Sequence, residues 1–76
     1  MMNFENRATI ETNGMPLTFS KWEKNGKRRI YINDYKRRTI GYIDMFSGEF
    51  TKIDGQGRTN DEINAAIESF KGQYTF

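Results

Sequence analysis

Three carboxylates, Asp44, Glu49 and Asp54, are the groups to which acid–base or magnesium chemistry could be assigned in this chain. They are spaced along a predicted hairpin and match no catalytic motif, so solvated or salt-bridged surface acids account for them better. Histidine and cysteine are absent. That removes the usual general base near neutral pH, the usual nucleophile and the commonest ligands for zinc and copper. The stretch Gly55-Gln56-Gly57-Arg58-Thr59 leads into a predicted helix, where backbone N–H groups can hold a phosphate. It lacks both the GK[ST] ending of a P-loop and the GxGxxG of a dinucleotide fold, and reads as a strand-to-helix connection capped by Thr59. No catalytic residue, metal, cofactor or small-molecule substrate is expected.

What remains is a basic and aromatic surface. From Lys21 to Arg38 there are eight basic residues against two acidic ones, a net charge of +6, whereas the rest of the chain carries four against eight. Clustered cations set up a local field that a mixed surface lacks, so the segment points to a partner of negative charge. Within it Lys24, Lys27 and Arg28 lie at one end of a predicted strand and Lys36, Arg37 and Arg38 at the other. Arg29, Tyr31 and Asn33 fall between them.

The elements that position these residues follow from turn chemistry and alternation. Asn13-Gly14 and Asn25-Gly26 each stand between segments that alternate apolar and polar residues, the strongest short-range signal for a two-residue type I′ hairpin. The second turn sets Trp22 opposite Arg29 and Ser20 opposite Tyr31. The first sets Ile10 opposite Leu17 and Arg7 opposite Ser20. A four-residue loop, Tyr35 to Arg38, would pair Asp34 with Thr39, Ile32 with Gly41 and Tyr31 with Tyr42. All three registers agree on one apolar side, a strong constraint because a one-residue slip reverses every side chain. Strands are expected at about 4–12, 17–24, 27–34, 38–46 and 49–53, and a helix at about 60–71.

That helix is announced by a capping box, Thr59 with Glu62, by Ile63, Ala66, Ile67 and Phe70 at helical spacing, and by Gly72 where a C′ residue belongs. The fold class is α+β: an antiparallel four- to five-stranded meander with one C-terminal helix on one face. Phe4, Ala8, Ile10, Leu17, Phe19, Ile30, Ile32, Ile43 and Met45 form the covered face, with Ala8 and Gly41 small enough to admit helical side chains. The 76 residues suit one domain. No apolar run is long enough to span a bilayer and the N-terminus lacks a signal peptide's apolar core, so a cytoplasmic location is expected.

The uncovered face then carries three rows across the strands: Glu5, Trp22, Arg29, Asp44; Arg7, Ser20, Tyr31, Tyr42; and Thr9, Thr18, Asn33, Ile40. Cations that can follow a phosphate backbone, with rings between them that can stack on bases, are the general means of sequence-tolerant nucleic-acid binding. Trp, Tyr and Arg are equally the residues that dominate protein interfaces. Two readings of the same site stand: Trp22, Lys24, Lys27, Arg28, Arg29, Tyr31, Lys36, Arg37, Arg38 and Tyr42 bind nucleic acid, or they bind a protein. The protein is then a nucleic-acid-handling protein or a second copy of the chain. In layout the sequence resembles a class of plant DNA-binding domains and some phage integrase arms that read DNA from a sheet, without a motif residue in common. In size it is similar to small phage or mobile-element inhibitors of host defence nucleases, of the anti-CRISPR kind.

Overall fold

Both Asn-Gly pairs turn the chain with positive φ at each central residue, 52° and 72° at Asn13-Gly14 and 52° and 78° at Asn25-Gly26. Only Gly and Asn enter that region cheaply, and the paired positive values match the twist of the strands they join. The computed structural model describes residues 1–76. In chain order its elements are β1 (Met2–Asn3), β2 (Arg7–Thr12), β3 (Met15–Lys24), β4 (Lys27–Asn33), β5 (Thr39–Asp44), β6 (Phe50–Lys52), α1 (Asn60–Gln73) and β7 (Tyr74–Thr75). Strands β2 to β6 form a five-stranded antiparallel sheet in sequential order, a meander, with α1 on one face. No helix is long and apolar enough to cross a membrane.

The expected registers hold across the first three strands: Arg7 faces Ser20, Ser20 faces Tyr31, and Trp22 faces Arg29. They hold also for Tyr31 with Tyr42 and Ile32 with Gly41, but the loop closes differently. Asp34 N–H donates to the Arg38 carbonyl at 2.9 Å and Asn33 pairs with Thr39, one residue short of the expected partner. A β-bulge next to Ile32 and Asn33 absorbs the difference, and Ile40 is the extra residue. The bulge turns Ile40 into the core, where it is fully buried, so its place in the third row of the open face is taken by Thr39.

Leu17, Phe19, Ile30, Ile32 and Ile43 from the sheet meet Ile63, Ala66, Ile67 and Phe70 from the helix, with Phe19 stacked on Phe70 at 4.3 Å between ring centroids. Each Leu, Ile or Phe among them contributes about 1.5–3 kcal/mol on burial. Gly41 has another role than the expected one. A Cβ there would meet the Thr51 carbonyl and the Phe50 ring, so its smallness admits the neighbouring strand β6 and not the helix.

The helix begins as its capping box demands, Glu62 N–H donating to Thr59 Oγ1 and Thr59 N–H to Glu62 Oε1. It does not stop at Gly72. It continues to Gln73, and Tyr74 leaves it in an extended conformation. The cause is tertiary: β7 pairs in parallel with β1, Phe4 N–H donates to the Thr75 carbonyl, and the Tyr74 ring packs on Phe4 and Phe70. Phe4 is thus buried by this clasp of the two chain ends, and the strand expected from residue 4 begins only at Arg7.

Candidate functional site

Alternation along the strands assigns the open face. β4 buries Ile30 and Ile32, which turns Lys27, Arg29, Tyr31 and Asn33 away from the helix; β3 turns Thr18, Ser20, Trp22 and Lys24 the same way. β5 adds Tyr42 and Asp44, and β2 adds Arg7 and Thr9. Glu5, expected at the end of the Trp22 row, lies before β2 and outside the ladder.

At the centre of this face Arg29 is held by aromatic rings. Its guanidinium lies 4.1 Å from the centroid of Tyr42 and 5.7 Å from that of Trp22, and Nη1 donates to the Tyr31 hydroxyl at 3.0 Å. Trp22 meets Tyr31 edge to face at 5.6 Å, and Tyr31 is 5.5 Å from Tyr42. The hydrogen bond to Tyr31 is the main reason the arginine holds its proton even more firmly than usual, against the opposing effect of partial burial; Tyr42, Tyr31 and Asp44 add smaller electrostatic support. Asp44 makes no salt bridge with Arg29. Its carboxylate accepts from the N–H groups of Ser47 and Phe46, which hold it below the usual carboxylate range. Asp54 likewise closes its own turn, accepting from Gln56 N–H.

The basic residues at the two ends of β4 fall into two groups. Arg28 shares the side of Ile30, pairs with Glu23 at 3.3 Å and lies near the Phe46 ring, on the opposite face from Arg29. Arg38 is tied to Asp34 at 2.8 Å. Lys24, Lys27, Lys36 and Arg37 make no salt bridge, and neither does Arg7. The Asp34 carboxylate is buried, which pushes it up. The Arg38 N–H, the Arg38 guanidinium and the Lys36 N–H outweigh that burial and hold it below its ordinary value. This anchored loop sets Arg37 beside Ser20 and Asn33 of the open face, whereas the Lys36 ammonium lies over the Tyr35 ring.

Arg37 itself has φ 65°, a conformation that costs an L-residue with a Cβ about 1–2 kcal/mol. The Asp34 to Arg38 loop is a turn followed by a left-handed residue, a place where glycine is the usual occupant. Arg7 was not singled out from the sequence because it lies outside the basic segment. Its row partners Ser20, Tyr31 and Tyr42 were the signal that could have found it. Comparison with known protein families, with curated protein sequences and with solved structures finds no match to this chain.

Proposed function

We propose that the protein is a non-enzymatic binding module whose open sheet face takes a nucleic-acid strand. The observation that carries this reading is the lack of salt bridges on that face and in the loop at its end: Arg7, Lys24, Lys27 and Arg29 on the strands and Lys36 and Arg37 in the loop are all without a salt-bridge partner. The Asp34 and Asp44 carboxylates, although they border or share this face, are engaged by N–H groups of their own loops, Glu11 is exposed at the end of β2, and Asp61 and Glu62 stand in the first turn of the helix. A surface arranged in this way attracts a polyanion and releases its counterions on contact.

Lys24 and Lys27 flank one turn and Lys36 and Arg37 the other, roughly 20 Å apart along β4 at about 3.3 Å per residue. Between them Trp22, Tyr31 and Tyr42 offer aromatic surface to bases, with Arg29 fixed in one orientation. Fixing a long side chain before contact removes part of the ordering cost of binding. Binding of a labelled single-stranded oligonucleotide at a series of salt concentrations tests the reading. The logarithm of the affinity is expected to fall linearly with the logarithm of salt, by about 0.7 per phosphate neutralised. Replacing Lys24, Lys27 and Lys36 together by Gln should flatten that slope; a wild-type affinity that does not respond to salt overturns the proposal.

One observation favours a protein partner instead. Arg29 already covers one face of the Tyr42 ring, and Trp22 and Tyr31 are packed on each other, so the cluster is a preassembled aromatic–arginine patch of the kind that dominates protein interfaces. Such a partner would be a nucleic-acid-handling protein, as for a small phage or mobile-element inhibitor, or a second copy of this chain. It would lose binding with Trp22→Ala or Tyr31→Ala, while changes at the turn lysines mainly slow association.

A further inference from the structure

Beside the aromatic cluster the open face sinks into a cleft of about 380 Å3 lined by Arg7, Thr18, Ser20, Asn33, Asp34 and Arg37, with no apolar side chain among them. Three elements build it. β2 supplies Arg7, the β3–β4 ladder supplies Ser20 opposite Arg7 and Thr18 opposite Asn33, and the anchored loop supplies Arg37. Both arginines are without a salt bridge, and the buried Oδ1 of Asn33 has no hydrogen-bond partner. The one acid of the lining is already occupied: Asp34 Oδ1 accepts from Lys36 N–H and Arg38 N–H, and Oδ2 from Arg38 Nε. Its charge is matched outside the cleft's two free guanidinium groups, which leaves the cleft positive.

We infer that this cleft is a phosphate subsite. Arg7 and Arg37 supply charge and forked donors, and the Thr18 and Ser20 hydroxyls supply two further donors to the remaining oxygens. A half-turn of the Asn33 amide exchanges its unpartnered oxygen for a donor nitrogen. The assignment rests on the nucleic-acid reading for the source of the phosphate: Tyr31 pairs directly with Ser20 of the cleft and stands two strands, roughly 10 Å at about 4.8 Å per strand, from Arg7, so a base next to a phosphodiester seated here reaches the ring cluster. The left-handed backbone at Arg37 fits the same account, since glycine would relieve the conformation but would remove one of the two guanidinium groups.

Two measurements test it. In the first, backbone amide shifts of the labelled protein are followed during titration with inorganic phosphate. Saturable shifts at Ser20, Asn33 and Arg37 that vanish in Arg7→Gln are expected; a uniform drift without saturation overturns the subsite. In the second, oligonucleotide affinity is compared for Arg7→Gln, Arg37→Gly and, as a control from the helix side, Lys52→Gln. The two cleft variants should each weaken binding about tenfold and lower the salt slope by about one. Arg37→Gly should melt no lower than the wild type, which separates lost contact from lost fold. If oligonucleotide binding is salt-dependent yet the cleft variants behave like Lys52→Gln, the subsite falls and the nucleic-acid reading stands. If phosphate titrates the cleft but no oligonucleotide binds, the subsite stands as a site for a free phosphoryl group and the strand reading falls.

Discussion

The covered and open faces of the sheet are made by the same strands, residue alternating with residue, yet they are held together by different means. On the covered face Phe19, Phe70, Leu17, Ile30, Ile32, Ile43 and Ile63 are closed off from solvent, and their contribution is proportional to area removed from water. On the open face Trp22, Arg29, Tyr31 and Tyr42 are half-buried and touch one another through a cation, a hydroxyl and ring edges. Such contacts are worth about 0.5–1.5 kcal/mol each. The covered face therefore decides whether the chain folds, and the open face is under weaker constraint from the fold.

The sharpest way to break that division is to truncate one ring on each side. Phe70→Ala removes the ring that stacks on Phe19 and also touches Phe4, Tyr74 and Phe76. It should cost about 3–5 kcal/mol in urea or thermal melts, most of the stability available to a domain of this size. Gly41→Ala comes next. Its new methyl would meet the Thr51 backbone and the Phe50 ring, and a strand edge cannot give way as a side chain can. A loss of about 1–3 kcal/mol is expected, together with faster hydrogen exchange of the β5–β6 ladder. Unchanged exchange at Thr51 and Lys52 would show that β6 adjusts and that Gly41 is not what admits it.

Much of this division is legible in the sequence alone. Two Asn-Gly turns fixed three strands, and agreement of the apolar sides across the ladders confirmed the register. Even the side of Arg28 follows from its parity with Ile30, although charge clustering alone placed it with Arg29. What was not legible depended on non-local contacts. The bulge that buries Ile40 is closed by hydrogen bonds from Ile53 N–H and Asp54 N–H to the Ile40 carbonyl, far along the chain. The helix overruns Gly72 because Tyr74 has a partner at Met2, at the other end of the sequence. The cleft needs Arg7 and Arg37 brought together by a loop whose left-handed residue is an arginine, a conformation that residue type does not announce.

The anchored loop links the two faces, because it carries the cleft on one side and Ile40 turns inward just beyond it. Asp34, Asp44 and Glu62 all have carboxyls held below their ordinary values of 3.8, 3.8 and 4.5 in the folded protein. A group whose folded value is depressed contributes stability that is fully present above its unfolded value and is lost as pH falls through the folded one. The domain should therefore keep constant stability down to roughly pH 5 and weaken progressively below about 4. Asp34→Asn should lose about 1–3 kcal/mol at neutral pH and show a shallower acid dependence than the wild type. Parallel acid curves for the two proteins would mean that the loop's carboxylate does not stabilise the fold. Oligonucleotide affinity should fall with the loop, because the Asp34 carboxylate holds the Lys36 and Arg38 N–H groups that flank Arg37.

The smallest stability effect is expected at the residue with the largest role in the proposed site. Trp22→Ala removes one edge-to-face partner of Tyr31 and one of two rings near Arg29, but Tyr42 at 4.1 Å and the Tyr31 hydroxyl still hold the guanidinium. The melt should move by about 0.5–1.5 kcal/mol, several times less than for Phe70→Ala, while base stacking worth about 1–3 kcal/mol is lost from binding. A Trp22→Ala variant that unfolds as readily as Phe70→Ala would make the open cluster a second core, with its rings committed to the fold. A variant that keeps its stability and loses its partner assigns the same rings to recognition, because Arg29 stays fixed when one of its walls is removed.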